Sequence, residues 1–154
     1  MSGEPIPADA REIAARLGAK LSHIALATPD ADTLAATLAA ALGATRGEEE
    51  LLDGGTLRVV FLHAGSVTWE LLEPRSPGHT VAKFLEKRGA GLHHVSLEVA
   101  DLEAALARAR AAGVKLIDER PRPGAHGTQV AFLHPASLGG VLIELCQSTP
   151  SKPE

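Results

Sequence analysis

Two histidines and two glutamates recur in this chain at nearly one interval. His23 and His94 stand 71 residues apart, and Glu70 and Glu144 stand 74 apart. Imidazole nitrogens and carboxylate oxygens together suit a divalent transition ion. Four such donors leave coordination positions open for water or substrate. Taken singly, a His or Glu on a strand is more often a surface group or a satisfied core group. The case for a site rests on all four occupying matched positions.

Those positions belong to two copies of one pattern. "LSHIALATPDADTLAATLAAALGA" (21–44) is similar to "LHHVSLEVADLEAALARARAAGV" (92–114), and "VVFLHAGSVTWELLEP" (59–74) to "VAFLHPASLGGVLIELCQ" (130–147). Asp30 and Asp101, Phe61 and Phe132, and His63 and His134 are again 71 apart. The three additional residues before Glu144 fall in the turn "PASLGG", where insertion costs little.

Periodicity and turn signals predict strands at 21–28, 44–51, 57–63 and 67–73 and a helix at 29–42. A linking helix follows at 79–88. The second copy adds strands at 91–99, 114–118, 128–133 and 140–147 and a helix at 101–112. Thr28 before Pro29 reads as a helix N-cap, and Gly43 and Gly113 as stops. A further helix is expected at 8–18. This gives two βαβββ modules, 21–74 and 91–147, in one domain after an N-terminal extension (1–20) and before a flexible tail (148–154). The expected fold is α+β: a curved mixed sheet with helices on its convex face and a metal site in its concave cleft.

Strand alternation aims the donors. Ile24 and Leu26 oppose His23; Trp69 and Leu71 oppose Glu70. Val95, Leu97 and Val99 oppose His94 and Ser96; Val141, Ile143 and Leu145 oppose Glu144 and Cys146. The apolar sides belong under helices, so the four donors converge in the cleft and His93 turns toward the helices. Trp69 is expected to pack beneath a helix, and Cys146 to act as a small buried hydrophobe. His63, His79, His126 and His134 have no second argument in their favour.

Composition excludes several other roles. The chain has 154 residues, a net charge of -4 and interspersed charges, without a basic stripe for nucleic acid. A single cysteine, Cys146, excludes an internal disulfide framework. No apolar run approaches a membrane span, and "MSGEPIPADA" lacks signal-peptide character, so a cytoplasmic location is expected.

The duplicated pattern with His…Glu…His…Glu resembles the vicinal oxygen chelate superfamily. "WELLEPRSPGHTVAKFLEKRGAGLHHVSLEV" and "PRPGAHGTQVAFLHPASLGGVLIELCQ" resemble its methylmalonyl-CoA epimerase family more closely. The resemblance covers about Leu21 to Gln147. It implies metal ligands at His23, Glu70, His94 and Glu144, the residues that strand parity selects. It also implies a divalent ion, Co2+ first with Mn2+, Ni2+ or Zn2+ as alternatives, a homodimer, and methylmalonyl-CoA as substrate.

The implied reaction interconverts the (2R) and (2S) epimers through an enolate. Inversion needs acid/base groups on opposite faces of the carbon. Glu144 is one candidate. The family's other catalytic glutamate falls on Glu50 by matching "RVVFL", or on Glu49 after a one-residue slip. The family's "EQGV" is replaced by "DGGT", and its usual lysine after "FLHP" by Ala136. No P-loop is present; Arg120 and Arg122 in "RPRPGAHG" offer cations for phosphate, although a plain connection is the simpler reading. Other readings are a glyoxalase I-like isomerase or lyase and a non-enzymatic small-molecule-binding protein.

Overall fold

A computed structural model describes residues 19–149; the helix expected at 8–18 and the end of the tail at 150–154 lie outside the described residues. Its strands are β1 (Ala19–Ala27), β2 (Thr45–Leu52), β3 (Leu57–Ala64), β4 (Val67–Pro74), β5 (Gly91–Val99), β6 (Arg122–Pro123), β7 (Gln129–Leu133) and β8 (Ile143–Gln147). Helices are α1 (Ala31–Leu42), α2 (Thr80–Arg88) and α3 (Leu102–Ala111). All strands join one curled mixed sheet in the order β2-β3-β4-β1-β5-β8-β7-β6. β1 and β5 meet antiparallel at its centre, and each pairs in parallel with the last strand of its own half.

Equivalent local chemistry starts the two sheet-covering helices. Asp30 accepts from the Thr33 N–H and Asp101 from the Ala104 N–H, both at 3.0 Å. Each also receives help from the strand that carries a candidate donor. Glu73, three residues past Glu70, accepts from the Ala31 N–H at 2.8 Å; Gln147, three past Glu144, accepts from the Leu102 N–H at 2.7 Å. These bonds satisfy first-turn donors and fix each helix to the strand beneath it. The α1 cap is Asp30 rather than the expected Thr28. The Thr28 N–H still bonds to Leu72 O in the sheet, so the chain leaves the strand two residues later.

The apolar strand faces pack as alternation predicts. Under α1, Ala31 and Ala35 meet Val60, Leu62 and Leu71, with Leu26 and Trp69 at the margin. Under α3, Leu102, Ala105 and Leu106 meet Val99, Leu133 and Leu145. The linking helix α2 departs from the expected arrangement. Its Val81 and Phe84 pack on Ala25, Ala27, Val59 and Phe61, which share the sheet face of His23 and Glu70. It therefore covers part of the concave side.

Three further differences have local causes. The strand expected at 114–118 is reduced to one bridge between Leu116 and Leu133. There the Asp118 carboxylate takes the Phe132 N–H at 2.8 Å, and prolines at 121 and 123 deny the following segment ladder donors. β8 starts at Ile143 rather than 140, because Gly139 and Gly140 turn through positive φ (66° and 83°). β5 bulges at His93: Ala25 pairs with His94 but Leu26 pairs with Leu92. The additional residue breaks strict alternation. His93 meets a helix, but it is α2 on the concave side, edge-on to Phe84 with ring centroids 4.9 Å apart.

Candidate metal centre

The central strand pairings bring the donors together. His23 lies opposite Ser96 and His94 opposite Ala25, while Glu70 neighbours Ala25 and Glu144 neighbours Ser96. Each half thus contributes one imidazole and one carboxylate next to the seam. One nitrogen each from His23 and His94 and one Glu144 oxygen lie within 4.8 Å of one another. His23 Nε2 is 3.3 Å from His94 Nε2, 3.5 Å from Glu144 Oε1 and 3.3 Å from Glu70 Oε2. Glu70 therefore reaches the cluster through His23. All four side chains are buried.

Burial makes their charged forms costly. It pushes Glu70 up to about 8, helped by the negative charges of Glu144 and Glu50. It pushes Glu144 up to about 7, against the opposing hydrogen bond from Ser96. It brings His23 down to about 4 and His94 well below the usual histidine range. Neutral imidazoles are the ligating form, and a dication would offset the cost of ionising both carboxylates. The donor set consequently fits a divalent metal. His94 Nδ1 sits 2.9 Å from His93 Nδ1, so with Nε2 facing the cluster His94 donates to its neighbour.

The cluster opens onto a cavity of about 540 Å³. Val59, Phe61 and Leu72 form an apolar wall; Asp53, His79, Arg122 and Cys146 also face it. Such a mix of apolar surface and a few polar groups suits a small-molecule site.

The chain matches the family described as the glyoxalase/bleomycin resistance protein/dioxygenase superfamily over residues 22–132. It is 38% identical over 130 residues to the mitochondrial methylmalonyl-CoA epimerase of Bos taurus, covering 84% of this chain and 74% of that one. It is 39% identical over 130 residues to an ethylmalonyl-CoA/methylmalonyl-CoA epimerase of Cereibacter sphaeroides, covering 83% and 97%. The chain belongs to the methylmalonyl-CoA epimerase family. A solved methylmalonyl-CoA epimerase in complex with methylmalonyl-CoA and NH4+ superimposes with a TM-score of 0.78 and 31% identity, covering 88% of this chain and 98% of that one.

In this epimerase-family chain, three acids near the cluster have distinct surroundings. Glu49 points away from the cleft, where Arg58 and Arg46 donate to it at 2.8 and 3.2 Å. Glu50 pairs with Val59 on the concave face, and its Oε2 accepts from the His126 N–H at 3.0 Å. Asp53, which sequence reasoning passed over, lines the cavity. His79 Nδ1 accepts from the Val81 N–H, so Nε2 carries the proton and donates to Asp53 Oδ2 at 2.8 Å. The legible signal was the "DGGT" that replaces the family's "EQGV": its aspartate lies three residues past Glu50, where matching "RVVFL" puts the glutamate.

Ser96 was also missed as a functional residue. Its hydroxyl donates to Glu144 Oε1 at 2.8 Å. Its repeat mate is Ala25, so the signal lay in a polar residue replacing an apolar one at matched positions of the central strands. Arg122 faces the cavity, but its guanidinium donates to Asp118 and lies over Phe132.

Proposed function

We propose that the chain interconverts the (2R) and (2S) epimers of methylmalonyl-CoA, with His23, His94, Glu144 and Glu70 holding a divalent ion. The observation that carries this reading is two imidazoles and two carboxylates, one of each from either half, buried together at the seam. When bound, the ion supplies a positive charge that favours the enolate over the bound thioester.

The chain's own residues handle the proton. Glu144 takes or returns it on one face, with Ser96 fixing the carboxylate's direction. The opposite face needs a second carboxylate. Glu50 is the acid selected by sequence; Asp53 is the better placed, because it lines the cavity and His79 holds its carboxylate as an acceptor. The apolar wall of Val59, Phe61 and Leu72 limits water beside the carbanion. By the family resemblance the ion is Co2+ and the assembly is a homodimer; the reading includes a cytoplasmic location. Among the described residues, no helix is long and apolar enough to cross a membrane.

The test uses one epimer of methylmalonyl-CoA in deuterated water with metal-loaded protein. Epimerisation with deuterium entering the α-carbon is expected. Turnover of a glutathione hemithioacetal without α-proton exchange in the CoA thioester would assign the site to a glyoxalase I-like reaction instead.

A further inference from the structure

Each of the two strands at the seam carries one extra residue, and the two extra residues are repeat mates. Leu21 pairs with Leu97 but His23 with Ser96, so Ser22 is unmatched in β1. Ala25 pairs with His94 but Leu26 with Leu92, so His93 is unmatched in β5. Ser22 and His93 stand 71 residues apart, the interval of the repeat, and each directly precedes a histidine of the metal cluster. In an unbroken strand neighbouring side chains take opposite faces, which separates a residue from the ring that follows it. A bulge turns the extra side chain off that alternation. Both side chains swing onto the next ring: Ser22 Oγ lies 3.1 Å from His23 Nδ1, and His93 Nδ1 lies 2.9 Å from His94 Nδ1.

The other ring nitrogens decide where the protons sit. His23 Nε2 and His94 Nε2 face one another across the cluster at 3.3 Å. An imidazole ligates through an unprotonated nitrogen, so a ring that offers Nε2 to an ion carries its proton on Nδ1. A buried Nδ1–H needs an acceptor. The Ser22 hydroxyl oxygen and His93 Nδ1 are placed as those two acceptors. His93 is braced in turn by Phe84 of α2, edge-on at 4.9 Å between ring centroids.

We infer that Ser22 and His93 are positioning residues that fix the tautomer and the direction of the two ligand imidazoles, and that the matched bulges exist to put them there. The inference rests on the metal centre proposed above and adds what holds its histidines. The two residues act through His23 and His94 rather than on the ion. A ring already held loses less freedom when it binds metal, and one that donates through Nδ1 is a stronger ligand through Nε2.

Co2+ binding to the metal-free protein, read by calorimetry and visible absorption, tests this with pairs of variants alike in shape. His93→Leu and His93→Asn branch at the same carbon, but only the Asn Oδ1 stands as an acceptor where His93 Nδ1 stood. His93→Leu should weaken Co2+ binding about 10- to 100-fold and shift its absorption bands, and His93→Asn should stay within about threefold of wild type. Ser22→Ala should weaken binding about tenfold, with Ser22→Thr restoring it. Ser22 is only partly buried, so its pair gives a reading even where His93→Leu fails to fold. Equal losses in His93→Leu and His93→Asn, or wild-type affinity in both His93→Leu and Ser22→Ala, overturn the positioning role while leaving the metal centre intact. A wild-type protein that binds no Co2+ overturns the metal centre and this inference with it.

Discussion

The two halves of the sheet present the same carboxylate in different company. Glu70 sits beside Ala25, and Glu144 sits beside Ser96 at the equivalent register. Both are buried and both are pushed toward the neutral form, to about 8 and about 7. Only Glu144 receives a hydroxyl hydrogen bond. Duplication thus supplies a symmetric donor set, and one serine separates a carboxylate with a fixed direction from one that leans on His23. The halves also differ above the site: α2 covers the concave face of the first half, while the second half keeps Arg122 and Cys146 open to the cavity.

The sharpest test of that asymmetry replaces each glutamate in turn. Glu144→Gln should lower kcat by about 10³-fold, the scale of a lost acid/base group. Glu70→Gln should cost less than about tenfold and should keep the metal, because an amide oxygen still ligates. Equal losses would make the halves functionally equivalent. The second group separates the acids of the β2 segment. Asp53→Asn should lower kcat by about 10²-fold with metal content unchanged, and Glu50→Gln by less. The reverse order would return the role to Glu50.

Ser96→Ala makes the second half resemble the first. Losing a bond to a buried carboxylate should destabilise the metal-free protein by about 1–3 kcal/mol in urea unfolding. kcat should fall about tenfold, with Ser96→Thr restoring much of both. Proton linkage adds a pH dependence. In the metal-free protein Glu70 and Glu144 titrate near 8 and 7, well above the ordinary carboxylate value. They contribute most to folding below that ordinary value, and the contribution is lost as pH rises through 7 and 8. Metal must displace their protons, so affinity should rise from pH 6 to 8 with proton release in calorimetry. A pH-independent affinity would remove them from the ligand set. The helix caps should differ least: Asp30→Ala and Asp101→Ala should each cost about 1 kcal/mol in thermal unfolding.

Much of this asymmetry was hidden in the sequence while the symmetry was not. The spacing of His23, His94, Glu70 and Glu144 made the repeat visible, and alternation put them on one face. Gly43 ends α1 as read, with φ of 64°. Alternation failed at His93, because a bulge depends on pairing between β1 and β5, which neither strand encodes alone. The 114–118 strand failed because Asp118 replaces a backbone partner at long range. Asp53 escaped because its value comes from His79, a residue 26 positions away that meets it only after folding. The family's glutamate also drew attention from an aspartate.

The central claim is that one ion is shared by both halves. Titration of metal-free protein with Co2+, read by calorimetry and by its visible absorption, tests it most directly. The expected result is one ion per chain, with binding lost in both His23→Ala and His94→Ala. Tight binding that survives either substitution, or two ions per chain, would contradict the account.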